Sequence, residues 1–153
     1  MRLGIGSYTY TWAIGVPGHP PGRPVTARDL LDKARQLDVR VVQFADNLPL
    51  DRLSPAELED IDRHAQEHGI SVEVGTRGIG PAHLSRCVEI ASHLRSAILR
   101  VIVDSGEHRP EEGEIVETVS GMVPQLRSAG ICLAIENHDR FRARSLARIV
   151  ERI

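Results

Sequence analysis

A chain of 153 residues, 41% hydrophobic and 26% charged, has the composition of a soluble globular protein, and residues 1–153 are read as a single domain. A formal net charge of −2 and an aromatic content of 3% exclude a basic nucleic-acid surface and a base-stacking platform. No apolar run reaches the roughly 18 residues of a membrane span, the first residues lack a signal h-region, and Cys87 and Cys132 belong to no Cys-x-x-Cys pair. The expected location is therefore cytoplasmic, with both cysteines as small buried hydrophobes.

The chain alternates short apolar strands with amphipathic helices. The first strand is expected over residues 3–8, followed by a Gly- and Pro-rich loop over 15–24. Thr26 can cap a helix whose apolar positions Leu30, Leu31, Ala34 and Leu37 keep helical spacing. A second strand is expected over residues 40–45. Ser54-Pro55-Ala56-Glu57 combines an N-cap serine, a proline at the first helical position and a capping-box glutamate. That helix is expected to end at Gly69 in a left-handed cap. The third strand is expected over 70–75, and Pro81 opens a helix reaching about residue 96. A fourth strand over 98–103 precedes a helix over 113–128, which Pro124 is placed to kink. The fifth strand is expected over 131–136, and a last helix from Ala143 is read as still running at Ile153.

Such alternating units imply an α/β fold with a parallel sheet and right-handed crossovers. Two architectures meet the pattern. One is a five-stranded flavodoxin-like open sheet. The other is about five of the eight units of a TIM barrel, whose full length is about 250 residues.

The fifth strand carries the most chemistry. Side chains alternate along a strand, so Ile131, Leu133 and Ile135 share one face, and Cys132, Ala134 and Glu136 the other. Glu136 thus stands at the C-terminal end of a strand, where ligands bind in α/β folds. Asn137 and His138 follow it. The glycines make no nucleotide site: Gly4-Ile5-Gly6 lies within a strand, and no P-loop pattern is present.

The order of four segments resembles the xylose-isomerase-like TIM-barrel family, the sugar phosphate isomerase/epimerase superfamily. They are Arg2-Leu3-Gly4-Ile5-Gly6-Ser7-Tyr8-Thr9, Val42-Gln43-Phe44-Ala45-Asp46-Asn47, Val72-Glu73-Val74-Gly75-Thr76-Arg77-Gly78 and Ala134-Ile135-Glu136-Asn137-His138. The resemblance covers essentially the whole chain. It implies the N-terminal portion of a barrel and a divalent metal (Mn²⁺, Mg²⁺, Co²⁺ or Zn²⁺) at the mouth. The family's ligands are a Glu on the fifth strand, an Asp on the sixth, a His on the seventh and a Glu on the eighth. Only the first has a counterpart here, as Glu136, so the chain is expected to be a truncated barrel with an incomplete metal site.

The activity implied is isomerisation or epimerisation of a sugar or sugar phosphate by proton transfer through an enediolate. Glu136 would be both metal ligand and acid/base, and His138 would hydrogen-bond a substrate hydroxyl; a surface loop position is the other reading of His138. Glu73, between Val72 and Val74, points into the barrel and must find a partner. Arg100, between Leu99 and Val101, shares that parity and can pair with Glu73 or Glu136. Gln43, Asp46 and Asn47 close the second strand as mouth residues or turn formers. Tyr8, Tyr10 and Trp12 make an aromatic wall for a sugar or a hydrophobic lid. Arg77 and Arg140 are placed to hold a phosphate. Asp104 and His108 are read as solvated loop residues, and His19, His64, His68, His83 and His93 as surface or packing residues. Competing functions are a metal-dependent lyase on the same barrel, related to dehydroshikimate dehydratases, and a non-catalytic flavodoxin-like binding module. A truncated barrel further implies exposed sheet edges that a homo-oligomer would cover.

Overall fold

The computed structural model describes residues 2–153. Its centre is one sheet of five parallel strands, β1 (Gly4–Gly6), β2 (Val41–Phe44), β3 (Ser71–Arg77), β4 (Ile98–Ile102) and β5 (Cys132–Ile135). The strands stand in the sheet in their order along the chain. A flavodoxin-like sheet reverses its strand order at a switch point, and no reversal occurs here. Each new strand instead adds to the same edge, which is how a (β/α) barrel grows. The open-sheet alternative is thereby set aside.

Helices α1 (Thr11–Ile14), α2 (Ala27–Gln36), α3 (Pro55–Glu67), α4 (Pro81–His93), α5 (Glu112–Ala129) and α6 (Ala143–Glu151) fill the connections. Thr26 and Asp29 close a capping box on α2, and Ser54 and Glu57 close another on α3, each satisfying amide donors that the first turn leaves free. Gly69 and Gly130 follow α3 and α5 in the left-handed region, at φ 60° and 67°. Among the described residues, no helix is long and apolar enough to cross a membrane.

Several expected boundaries move. β1 ends at Gly6, and Ser7–Tyr10 winds into a 3₁₀ turn that leads into α1. Tyr8 and Tyr10 lie in this turn and Trp12 in α1. α5 continues through Pro124 without a break. The last helix stops at Glu151, and its end is capped by Arg152, whose N–H reaches the Ile149 and Val150 carbonyls.

The two sheet faces differ sharply. Val42, Phe44, Val72, Val74, Leu99 and Val101 are buried beneath the helices, against Leu30, Leu31, Ile61, Leu84 and Ile115. The opposite face carries Gln43, Glu73, Arg100 and Ala134, all half-buried. In a closed barrel this face is the interior. Cys132 also lies on it and is exposed, not buried as expected, because β5 is the sheet's outer strand. Gly4 permits the close approach of β1 to β2: a Cβ there would sit 2.7 Å from the Val41 carbonyl oxygen.

Candidate active site

The C-terminal ends of the five strands form a mouth that is built from the chain's first loop outward. Ser7 is fully buried directly after β1. Its hydroxyl donates to Asn47 Oδ1 at 2.6 Å and accepts from the Ala45 N–H at 2.9 Å. Asn47 Nδ2 in turn donates to Thr11 Oγ1 at 3.3 Å. Asn47 thus ties the β1 and β2 loops together, and its amide is engaged within the protein.

Asp46 is the polar hub beside it. Tyr8 Oη donates to its carboxylate at 3.0 Å, and Arg77 Nε at 2.9 Å. Arg100 Nη2 approaches the same carboxylate to 3.7 Å. Burial opposes the charge on Asp46, but the hydrogen bonds from Arg77 and Tyr8 and the Arg77 charge outweigh it, and the carboxyl lies below its usual range. Burial and the same carboxylate push the Tyr8 phenol up.

Across the interior face, Gln43 Nε2 donates to Glu73 Oε2 at 3.0 Å. Glu73 therefore finds its partner on β2. Arg100 pairs instead with Glu136, which resolves the two pairings that parity leaves open. Arg100 keeps 15% of its side-chain exposure and Glu136 31%, while the Glu136 oxygen that faces Arg100 is buried. Glu136 lies just past β5, where its N–H still bonds to the Val101 carbonyl at 2.8 Å. Gly75 makes room for the guanidinium: a Cβ there would stand 3.1 Å from Arg100 Nε and 3.1 Å from the Phe44 carbonyl oxygen.

A cavity of about 430 Å³ opens here, lined by Tyr8, Gln43, Arg100, Ile102, Glu136 and His138. His138 is exposed, and its Nδ1 lies 2.9 Å from Asp139 Oδ1. It reaches the cavity through a tight turn, its N–H bonding to the Glu136 carbonyl at 3.0 Å, and not by continuing the strand's parity. Trp12 does not line this cavity. It is 71% exposed and meets His19 edge to face, with ring centroids 6.0 Å apart. Arg77, which ends β3 and does not lie in a loop, and Arg140 are both committed to carboxylates, Arg77 to Asp46 and Arg140 Nη1 to Asp104 Oδ1 at 2.6 Å.

Two arrangements escape a local reading of the sequence. The Asp46 hub draws its partners from the 3₁₀ turn after β1 and from the strands β3 and β4. A second hollow, behind β3, gathers Asp51, Thr76, His83 and Cys87. His83 Nε2 lies 2.7 Å from Thr76 Oγ1 and 3.7 Å from Cys87 Sγ, and its Nδ1 3.6 Å from Asp51 Oδ2. Burial pushes the Cys87 thiol up, the opposite of what a nucleophile needs.

For a metal at the mouth, the donor set of this chain is small. Glu136, Asp46 and Glu73 all bring carboxylates there, and each is already engaged by another side chain, Glu136 by Arg100, Asp46 by Tyr8 and Arg77, and Glu73 by Gln43. Among the described residues, no three metal-binding side chains converge at the mouth.

No family model matches the chain. It is 28% identical over 155 residues to a 3-oxo-isoapionate decarboxylase from Pectobacterium atrosepticum, aligning along 100% of this chain and 54% of that protein. The chain thus spans about half the length of this curated relative. Among solved structures, a D-psicose 3-epimerase from Clostridium cellulolyticum H10, determined with D-tagatose, superposes with a TM-score of 0.76 at 15% identity, over 99% of this chain and 60% of that one. A zinc-bound IolI protein superposes with a TM-score of 0.66 at 15% identity, over 99% of this chain and 58% of that one. The sequential strand order and these superpositions agree: the chain has the fold of five consecutive units of a (β/α) barrel.

Proposed function

We propose that this chain supplies the substrate-facing part of a barrel enzyme that forms an enediolate from a small polyhydroxylated carbonyl compound, in the isomerisation or epimerisation of a sugar or sugar phosphate. The observation that carries this reading is Glu136, a carboxylate at the end of β5 that is held by Arg100 and lines the mouth cavity. Glu136 removes the proton from the carbon beside the carbonyl. The C–H electron pair becomes the new C=C bond, and the carbonyl π pair moves to oxygen. Return of a proton to the neighbouring carbon gives an isomer; return to the opposite face of the same carbon gives an epimer. Arg100 orients the carboxylate, and Gln43 and His138 offer hydrogen bonds to substrate hydroxyls.

A divalent cation (Mn²⁺, Mg²⁺, Co²⁺ or Zn²⁺) fits this chemistry, since it polarises the carbonyl oxygen when bound. Glu136 is the ligand this chain would give it at the mouth. A stable site needs several converging donors, which strands outside this chain's five would have to provide.

A second reading rests on the match along the whole chain to a decarboxylase. A 3-oxo acid that loses CO₂ sends the C–C electron pair into the same kind of enolate, which a proton then quenches. The two readings share a mouth and differ in the bond broken. They separate by ¹H NMR in D₂O with Mn²⁺ supplied, using a panel of ketoses and ketose phosphates beside a polyhydroxylated 3-oxo acid. Deuterium entering the substrate with its carbon count intact supports isomerisation or epimerisation. Release of CO₂ from the 3-oxo acid alone supports the decarboxylase reading. Neither reaction would contradict both.

A further inference from the structure

The C-terminal turn of α3 carries chemistry that the barrel mouth does not use. Three side chains there, His64, Glu67 and His68, each offer a ligand atom, and these atoms all lie within 4.8 Å of one another. The spacing explains why: residues three and four apart on a helix share one face, and histidines at i and i+4 are a known way for a helix to grip zinc. The two imidazoles meet edge to face, with centroids 4.6 Å apart. We propose that this turn is a divalent-metal site for a borderline cation such as Zn²⁺, with His64, Glu67 and His68 as ligands and Asp32 of α2 orienting His64.

The surroundings support two nitrogens and one carboxylate acting as ligands. His64 is 5% exposed, and its Nε2 lies 3.0 Å from Asp32 Oδ1. In the neutral ring Nε2–H donates to that carboxylate, so Nδ1 keeps its lone pair for a cation. A carboxylate behind a histidine is the usual outer partner of a metal-bound imidazole. His68 is the C-cap of α3, where the helix dipole favours positive charge. The competing cations are peripheral. Arg63 Nη1 reaches Glu67 Oε1 at 3.4 Å from an exposed position, Arg35 Nε approaches Asp32 Oδ1 only to 3.8 Å, and Arg40 Nη1 donates to the His68 carbonyl at 2.8 Å, which removes that oxygen from the ligand set. The site lies just before β3, at the strands' N-terminal ends and so opposite the mouth. It would fasten the last turn of α3 and, through Asp32, the α2–α3 contact.

The test is Zn²⁺ binding to the chelator-stripped chain by calorimetry, with Co²⁺ absorption as a spectroscopic readout. His68→Gln and Glu67→Gln are the variants, because both side chains are accessible and neither is needed for the core; Glu136→Gln serves as the mouth control. One Zn²⁺ equivalent should bind in the wild type and in Glu136→Gln. His68→Gln should weaken it at least about tenfold, Glu67→Gln should weaken it less, and both should alter the Co²⁺ bands. Zn²⁺ at 100-fold over its Kd should raise the wild-type Tm by about 5–10 °C and that of His68→Gln far less. No Zn²⁺ uptake, uptake untouched by His68→Gln, or uptake abolished only by Glu136→Gln would overturn the site.

Discussion

Arg100 reaches along the interior face of the sheet from β4 to the carboxylate of Glu136, past the end of β5. This pair joins the last two strands at the point where the proposed chemistry occurs. It also spares Glu73, which Gln43 satisfies from β2.

The pairing has a measurable coupling. Arg100→Met should cost about 1–3 kcal/mol, because it leaves a half-buried carboxylate without its partner. In a double-mutant cycle with Glu136→Gln, urea denaturation should return a coupling of about 1–2 kcal/mol. Purely additive effects would show that the two groups do not depend on each other.

Gly75 leaves the space that Arg100 occupies. Gly75→Ala should destabilise by about 1–3 kcal/mol, since the new methyl meets both the guanidinium and the Phe44 carbonyl. The cost should shrink in the Arg100→Met background, where only the carbonyl contact remains. Equal costs in both backgrounds would place the strain entirely on the backbone.

Asp46 should govern part of the acid limb of stability. Its carboxyl is lowered in the folded chain, so its contribution is complete above the ordinary aspartate pKa, about 3.9. That contribution is lost as pH falls through the lower folded value. Asp46→Asn should therefore cost about 1.5–3 kcal/mol between pH 5 and 7, and the gap to wild type should close below about pH 4. Urea midpoints against pH provide the check; a gap that stays constant into acid would show that the Tyr8 and Arg77 bonds do not depend on the charge.

The capping box of α3 gives a local test. Ser54→Ala removes the acceptor for the Glu57 N–H and the hydroxyl donor to its carboxylate. It should cost about 1 kcal/mol, or about 2–4 °C in Tm for a domain of this size. An unchanged Tm would mean that packing alone holds the helix start.

The units of this fold are legible because their signals are local. Ser54-Pro55-Ala56-Glu57 announces a helix start within four residues, and Gly69 and Gly130 announce ends by their left-handed conformation. The choice of barrel over open sheet is not local. It depends on strand order, which no single segment carries and which the resemblance supplies instead; the last helix, read as running off the chain, in fact closes at Glu151. Within the site, the inward parity of Glu73, Arg100 and Glu136 follows from their apolar neighbours, but the choice of partners does not. The Asp46 hub is harder still. Its partners Tyr8 and Arg77 lie 38 and 31 residues away, one in the 3₁₀ turn after β1 and the other at the end of β3, so no spacing rule joins them. Tyr8 and Trp12 look equivalent as aromatic candidates until the 3₁₀ turn after Gly6 sends one to the cavity and the other to the surface.

The most direct measurement is the rate at which this chain, with Mn²⁺ supplied, exchanges the hydrogen beside the carbonyl of a ketose for solvent deuterium, compared between wild type and Glu136→Gln. Circular dichroism would confirm that both are folded. Glu136 as the proton-carrying group predicts a loss of about 10²–10⁴-fold in the variant. Exchange at the wild-type rate in folded Glu136→Gln would contradict that role and leave Glu136 as the structural partner of Arg100.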